Sequence, residues 1–189
     1  VNYHFGSKDE LISAVFARSL GPLNRERLTL LEAAVAGASG GRPSVEEGVA
    51  TLIRPAVGRV GRRDGKPSIL AGLLGHVHSE NDEHVRALVF EQFAATKRRY
   101  CEVLSCLLPE LSAAELESRF RFVIGAMASA LLEYQRVATP VASSSDGEDI
   151  DTLVARLVSF VSGGLTAAPA GGVGKAAAAL ARKLVEVAS

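Results

Sequence analysis

The chain has 189 residues, with 21 Lys+Arg against 21 Asp+Glu, 48% hydrophobic and 5% aromatic residues. That length carries one ordinary domain with a sizeable core, of radius of gyration roughly 16 Å if compact. The balanced charge excludes a polybasic tail that holds nucleic acid by charge alone, and the apolar content excludes a disordered chain. No run approaches the roughly 18–20 apolar residues that would span a bilayer, so no membrane partner is expected. The opening residues do not read as a signal peptide. Two cysteines and no Asn-x-Ser/Thr sequon fit a reducing, cytoplasmic setting.

Gly and Pro punctuate the sequence into helical blocks. The first spans Ser7 to about Ala36. Ser7 with Glu10 is a capping box, and Leu11, Ile12, Val15 and Phe16 recur at helical period. Gly21-Pro22 predicts a kink or break before Leu23–Val35. After a loop over Gly37–Pro43, Ser44 with Glu47 opens a second helix carrying Val45, Val49, Leu52, Ile53, Ala56, Val57 and Val60, with Pro55 bending it. A basic loop, Gly61–Pro67, leads to a short Gly-rich helix over Ser68–Val77. Asp82 then caps a long helix to about Leu108, with Phe93, Tyr100, Val103, Leu104 and Leu107 inward and Pro109 as its stop. Ser112 with Glu115 opens another to about Val137. Asp149–Leu165 is the last clearly packed helix. From Ala167 a linker precedes an Ala-rich stretch, Lys175–Val187. No segment alternates at period 2, so the fold is all-α.

The first eleven residues, Val1-Asn2-Tyr3-His4-Phe5-Gly6-Ser7-Lys8-Asp9-Glu10-Leu11, resemble the segment that follows the recognition helix in TetR-family (tetracycline-repressor-like) transcriptional regulators. Asn2 departs from that pattern, standing where an aromatic residue is more usual. The resemblance implies a TetR-type C-terminal helical ligand-binding and dimerisation domain with a remnant of the N-terminal DNA-binding domain. Residues 1–20 are then the end of the helix-turn-helix domain and a connecting helix. Residues 21–166 are the effector-binding and dimerisation domain, and 167–189 a linker and possible extra helix. About forty further residues, holding most of the helix-turn-helix, are expected upstream of Val1. Tyr3, His4 and Lys8 become phosphate contacts to operator DNA, beside a helix start whose amides favour an anion. The stretch Pro22-Leu23-Asn24-Arg25-Glu26-Arg27-Leu28 is similar to a subgroup some of whose members answer to fatty acids or their thioesters.

The implied effector is therefore a small hydrophobic or amphipathic molecule, such as a fatty acid or acyl thioester, held among the middle helices. Its expected lining is Phe16, Leu52, Leu73, Leu74, Phe90, Phe93 and Phe122, with Arg54, His76 and Arg121 available to a polar end. The same apolar residues equally describe a plain core. A homodimer is expected through the last two packed helices. One stripe is Leu116, Phe120, Val123, Met127 and Leu131; the other is Leu153, Leu157, Phe160 and Val161. Packing of both stripes inside one chain is the alternative. Small residues at Gly125, Ala126, Ala128, Ser129 and Ala130 would let partner helices approach closely.

Little else suggests chemistry. His76 and Glu80 could chelate at i, i+4, but His76-Val77-His78 through His84 reads more simply as a polar helix end. Cys101 and Cys106 lie about 140° apart around a helix, a poor geometry for a disulfide. No convergent acid, base or nucleophile set, phosphate loop or dinucleotide fingerprint appears, so neither an enzyme nor a cofactor is expected. The leading reading is a ligand-responsive repressor released from DNA by its effector. The alternative is a non-catalytic helical ligand-binding or dimerisation module that never binds DNA.

Overall fold

A computed structural model describes residues 8–61, 83–137 and 149–169. These form five α-helices, α1 (Lys8–Gly37), α2 (Val45–Gly61), α3 (Glu83–Leu107), α4 (Ala113–Val137) and α5 (Ile150–Thr166), with a 3-10 turn at Ser39–Gly41. No strand occurs among the described residues. The short helix expected over Ser68–Val77, the caps at Ser7 and Asp82, and the Ala-rich stretch Lys175–Val187 lie outside them.

The centre of the bundle is α2. Val49, Leu52, Ile53, Ala56 and Val57 are each no more than 2% exposed, at the i, i+3, i+4, i+7, i+8 spacing of one helix face. Gly48 and Pro55 are buried as well, so the helix is covered on more than that face, and it packs against all four others. Each fully buried Val, Leu or Ile there contributes roughly 1.5–3 kcal/mol. Pro55 does not end α2, which continues to Gly61. The start is fixed by the expected reciprocal cap. Glu47 N–H donates to Ser44 Oγ at 3.0 Å and Ser44 N–H to Glu47 Oε2 at 2.7 Å.

Of the kink or break expected at Gly21-Pro22, the break does not occur; α1 runs through it as one helix of 30 residues. Proline removes the hydrogen bond to the carbonyl four residues back, here that of Arg18. Arg18 and Pro22 are both exposed, so water can take that place. The inner stripe of α1 is Phe16, Leu20, Leu23, Asn24, Arg27 and Leu31, facing α2 and α3. At the rim, Arg99 on α3 grips Glu32 on α1 with two bonds, at 2.6 and 2.9 Å. Its hydrogen bond holds the Glu32 carboxyl below the usual carboxylate range. Both groups are well exposed, so the pair adds at most about 1 kcal/mol.

The third Ser-x-x-Glu start is only half a capping box. Glu115 N–H donates to Ser112 Oγ at 3.2 Å, but the Glu115 carboxylate instead accepts from Arg119 Nε at 2.9 Å. That choice positions Arg119. Its guanidinium is buried and donates to the carbonyls of Leu165 (2.8 Å), Ala167 (2.6 Å) and Ala168 (3.1 Å), with Gly164 at 3.3 Å. Helix α5 has no glycine to turn its C-terminus, and Ala167 is extended. The cation from α4 supplies the cap, satisfying orphan carbonyls at the negative end of the helix dipole.

Replacing Arg119 by Met should therefore loosen the last turn of α5 and lower unfolding free energy by about 2–3 kcal/mol. Arg119→Lys should recover only part of this, because one ammonium cannot span Glu115 and the carbonyls together. Urea denaturation measures both, and an unchanged midpoint for Arg119→Met would exclude the cap as a stabilising element.

Candidate functional site

Two features of the bundle stand apart from ordinary packing. The first is a polar knot at its centre. Arg27, in the middle of the apolar stripe of α1, is 3% exposed. Its Nε donates to the Leu52 carbonyl of α2 at 2.8 Å, Nη1 to Asn24 Oδ1 at 3.3 Å, and Nη2 to Met127 Sδ of α4 at 3.4 Å. The guanidinium carbon lies 5.7 Å from the ring centre of Phe93 on α3, within reach of a cation–π attraction. One side chain thus touches four helices.

Its surroundings are arranged to orient it. Asn24 Nδ2 donates to the Gln92 carbonyl at 3.0 Å, which turns Asn24 Oδ1 towards Arg27. The Tyr100 hydroxyl sits 2.8 Å from Thr51 Oγ1 and can also donate to the Arg27 carbonyl at 3.2 Å. Thr51 donates in turn to the Gly48 carbonyl at 2.7 Å. Burial pushes the Tyr100 phenol up to about 12, so it stays neutral. Burial also lowers the Arg27 guanidinium to about 10, which leaves it charged at neutral pH. Phe93 stacks on Phe120 with centroids 6.3 Å apart, and Phe120 lies 6.3 Å from Tyr100.

The second feature is the outer face shared by α4 and α5. Phe122 is 71% and Phe160 72% exposed. Together they flank a groove of about 300 Å³ floored by Val123, Ala126 and Leu165. Gly125, Gly163 and Gly164 lie on the same two helices, and an added Cβ at each would meet only open space.

The expected pocket residues divide accordingly. Phe16 and Leu52 are buried in the common core, and Phe93 is half-buried against it. Phe122 does not join them. It lies two positions, or about 200° of helix rotation, from Phe120 and so faces outward. Arg54 and Arg121 are likewise surface residues, with Arg54 3.7 Å from Asp151. Leu73, Leu74 and His76 lie outside the described residues, and so does the side chain of Phe90 on α3. Tyr3 and His4 lie outside them too, while Lys8 opens α1.

The expected dimer stripe is also redistributed. Leu116, Phe120, Val123, Met127 and Leu131 are all buried within this one chain, and of them Val123 also reaches the floor of the outer groove. On α5 the inward column is Val154, Leu157, Val161 and Leu165, which leaves Leu153 half-buried and Phe160 outward. The expected column mixed two neighbouring rows of the same period, about 100° apart.

Sequence reasoning missed Arg27 and Asn24. The signal was present: Phe16, Leu20, Leu23, Arg27 and Leu31 fall at successive spacings of four, three, four and four, so a cation occupies a core position. Among the described residues no group of His, Cys, Asp and Glu could hold a metal ion. Cys101 is half-buried, Cys106 exposed, and both are free thiols; burial raises the Cys101 thiol above its ordinary value. No helix among the described residues is long and apolar enough to cross a membrane.

No curated protein matches the chain significantly. Residues 50–164 match the tetracyclin repressor-like C-terminal domain, a span that takes in most of α2, all of α3 and α4, and nearly all of α5. The all-α bundle and that match agree with the resemblance in the first eleven residues, and the chain belongs to the TetR family of regulators.

Proposed function

We propose that the chain is the regulatory and dimerising part of a DNA-binding repressor that leaves its operator when a small, largely hydrophobic effector enters the bundle. Family membership carries this reading. The unbroken course of α1 supports it mechanically. Lys8, in the segment assigned to phosphate contact, and Arg27, at the centre of the bundle, are 19 positions apart on one helix, a separation of about 28 Å. A change of packing around Arg27 would move the helix that carries the DNA-facing end. Two recognition helices that must enter successive major grooves about 34–36 Å apart tolerate little such movement.

The partner is a second copy of the chain, seated on the outer face of α4 and α5. Phe122 and Phe160 present two large apolar side chains on adjacent helices, beside glycines with free space above them. Close approach of two such helix pairs gives a four-helix interface, which in obligate dimers buries upwards of about 2,000 Å². Phe160→Asp should therefore yield a folded monomer by sedimentation. Phe120→Asp should instead unfold the chain, since Phe120 is 1% exposed and a buried carboxylate has no partner there. A Phe160→Asp variant that stays dimeric would place the interface elsewhere.

DNA binding is tested with the full-length gene product. Lys8→Ala should weaken binding to operator and unrelated duplexes by similar factors, because a phosphate contact carries no sequence information. The slope of log K against log salt should fall by about one unit. Unchanged affinity and slope would remove Lys8 from the interface, and no binding by the unaltered protein would leave a ligand-binding or dimerisation module instead.

A further inference from the structure

Among the described residues, the charge at the centre of the bundle has no counter-charge in contact with it. A guanidinium presents five N–H donors. Arg27 meets a backbone carbonyl, an amide oxygen and a thioether sulfur, all uncharged and the last a weak acceptor. Among the described residues no carboxylate pairs with it. The neighbouring acid, Glu26, is taken by Arg59 at 2.6 Å on the surface. Elsewhere in the bundle the pattern is different: Arg119, also buried, has Glu115 at 2.9 Å, and Arg99 has Glu32 and Glu102.

Isolating a charge from water costs several kcal/mol unless an opposite charge accompanies it. As a purely structural tie, Arg27 would be inferior to a Met or Leu of similar volume. Its contacts are those of an oriented receptor. Asn24, held by the Gln92 carbonyl, and the Leu52 carbonyl fix the plane of the guanidinium, and each terminal nitrogen keeps a further N–H. The planar fork matches the two oxygens of a carboxylate. Against it stand Phe93, Met127 and Leu52, with Phe120 stacked behind Phe93, apolar groups suited to a hydrocarbon or aromatic body.

We infer that Arg27, oriented by Asn24, is the anion receptor of the effector site, and that the effector is an amphipathic monocarboxylate whose head enters the bundle centre. This rests on the effector reading above and narrows it: neutral hydrophobic molecules of the same shape bind more weakly than the acids, and the polar end is met at α1 rather than at Arg54 or Arg121.

The test uses the 189-residue chain with dodecanoate at submicellar concentration, 2-naphthoate, and the methyl ester of each, read by thermal melts and calorimetry. Binding to the folded state raises the melting temperature with the logarithm of the ratio of free ligand to its dissociation constant. The aliphatic or the aromatic acid should bind about ten- to a hundredfold tighter than its ester, the range of a charged hydrogen-bonded contact. Arg27→Met should remove that preference while melting, without ligand, at or above the temperature of the unaltered chain. Should that variant not fold, Arg27→Lys keeps the charge, loses the fork, and should reduce the preference. Acids and esters that bind the unaltered chain equally, or an Arg27→Met chain that still prefers the acid, would overturn this role and leave the effector reading standing. If no acid or ester binds, both fall.

Discussion

One buried cation organises the middle of this bundle. Arg27 leaves α1 and reaches a backbone carbonyl of α2, an aromatic ring of α3 and a sulfur of α4. Every helix it touches must therefore keep its rotation about its own axis. Apolar contacts alone specify this less sharply, since a core accepts alternative packings of Leu and Val that keep volume and pattern. Directional hydrogen bonds fix it. Tyr100 adds a second constraint, linking α3 to Thr51 on α2 and to the main chain of α1. Both devices act on the stretch of α2 from Gly48 to Leu52, just before Pro55, so the most enclosed helix is also the one most tightly indexed.

From that centre the two faces of α4 acquire different roles. Phe120, Met127 and Leu131 point into the knot and the core beneath it, while Phe122 and Gly125 point away. The same division runs along α5, with Leu157 and Val161 inside and Phe160 outside. Arg119 locks the two helices together at one end through the carbonyls after Gly163. The pair therefore forms one slab, with a core-facing surface and an exposed surface only one helix diameter apart.

How much of this the sequence disclosed follows from the physics of each signal. Helix starts at Ser44 and Ser112 were legible because capping is local, a matter of residues three apart. The inward stripes of α2 and α4 were legible because period 3.6 marks a single buried face. What was not legible was which neighbour each face meets. Phe122, expected to line the pocket, is outward, and of the stripes expected at the dimer contact Phe160 is outward while Phe120 is buried, because a row of large apolar residues carries no label for self or partner. That α1 does not break at Pro22 has a related reason: whether a lost backbone hydrogen bond is costly depends on whether its carbonyl faces water, and Arg18 is exposed. The knot is hard to see in the sequence because Asn24 and Arg27 fall in the stretch that carries a family likeness, and only their place beside the apolar row Phe16, Leu20, Leu23, Leu31 marks them as core.

The arrangement also bears on how an effector and a second subunit would influence one another. Arg27 meets Met127 of α4 at 3.4 Å. Met127 is one residue from Ala126 and one turn from Val123, which floor the outer groove. A carboxylate at Arg27 would draw the guanidinium away from the thioether, the weakest of its three acceptors, before disturbing the Leu52 carbonyl. The first element released would thus be α4, the helix that carries the partner-side face, while α2 stays fixed. Coupling of this kind is reciprocal: a ligand that loosens α4 weakens the dimer by the factor with which dimerisation weakens the ligand. Tight dimers would then bind the acid less well than dissociated chains, unless α4 has a second packed position against its partner that accepts the shift. Proteins of packed helices respond to small displacements by moving between such discrete arrangements rather than by bending. The flexible Met127 side chain suits it to serve as the contact that changes first.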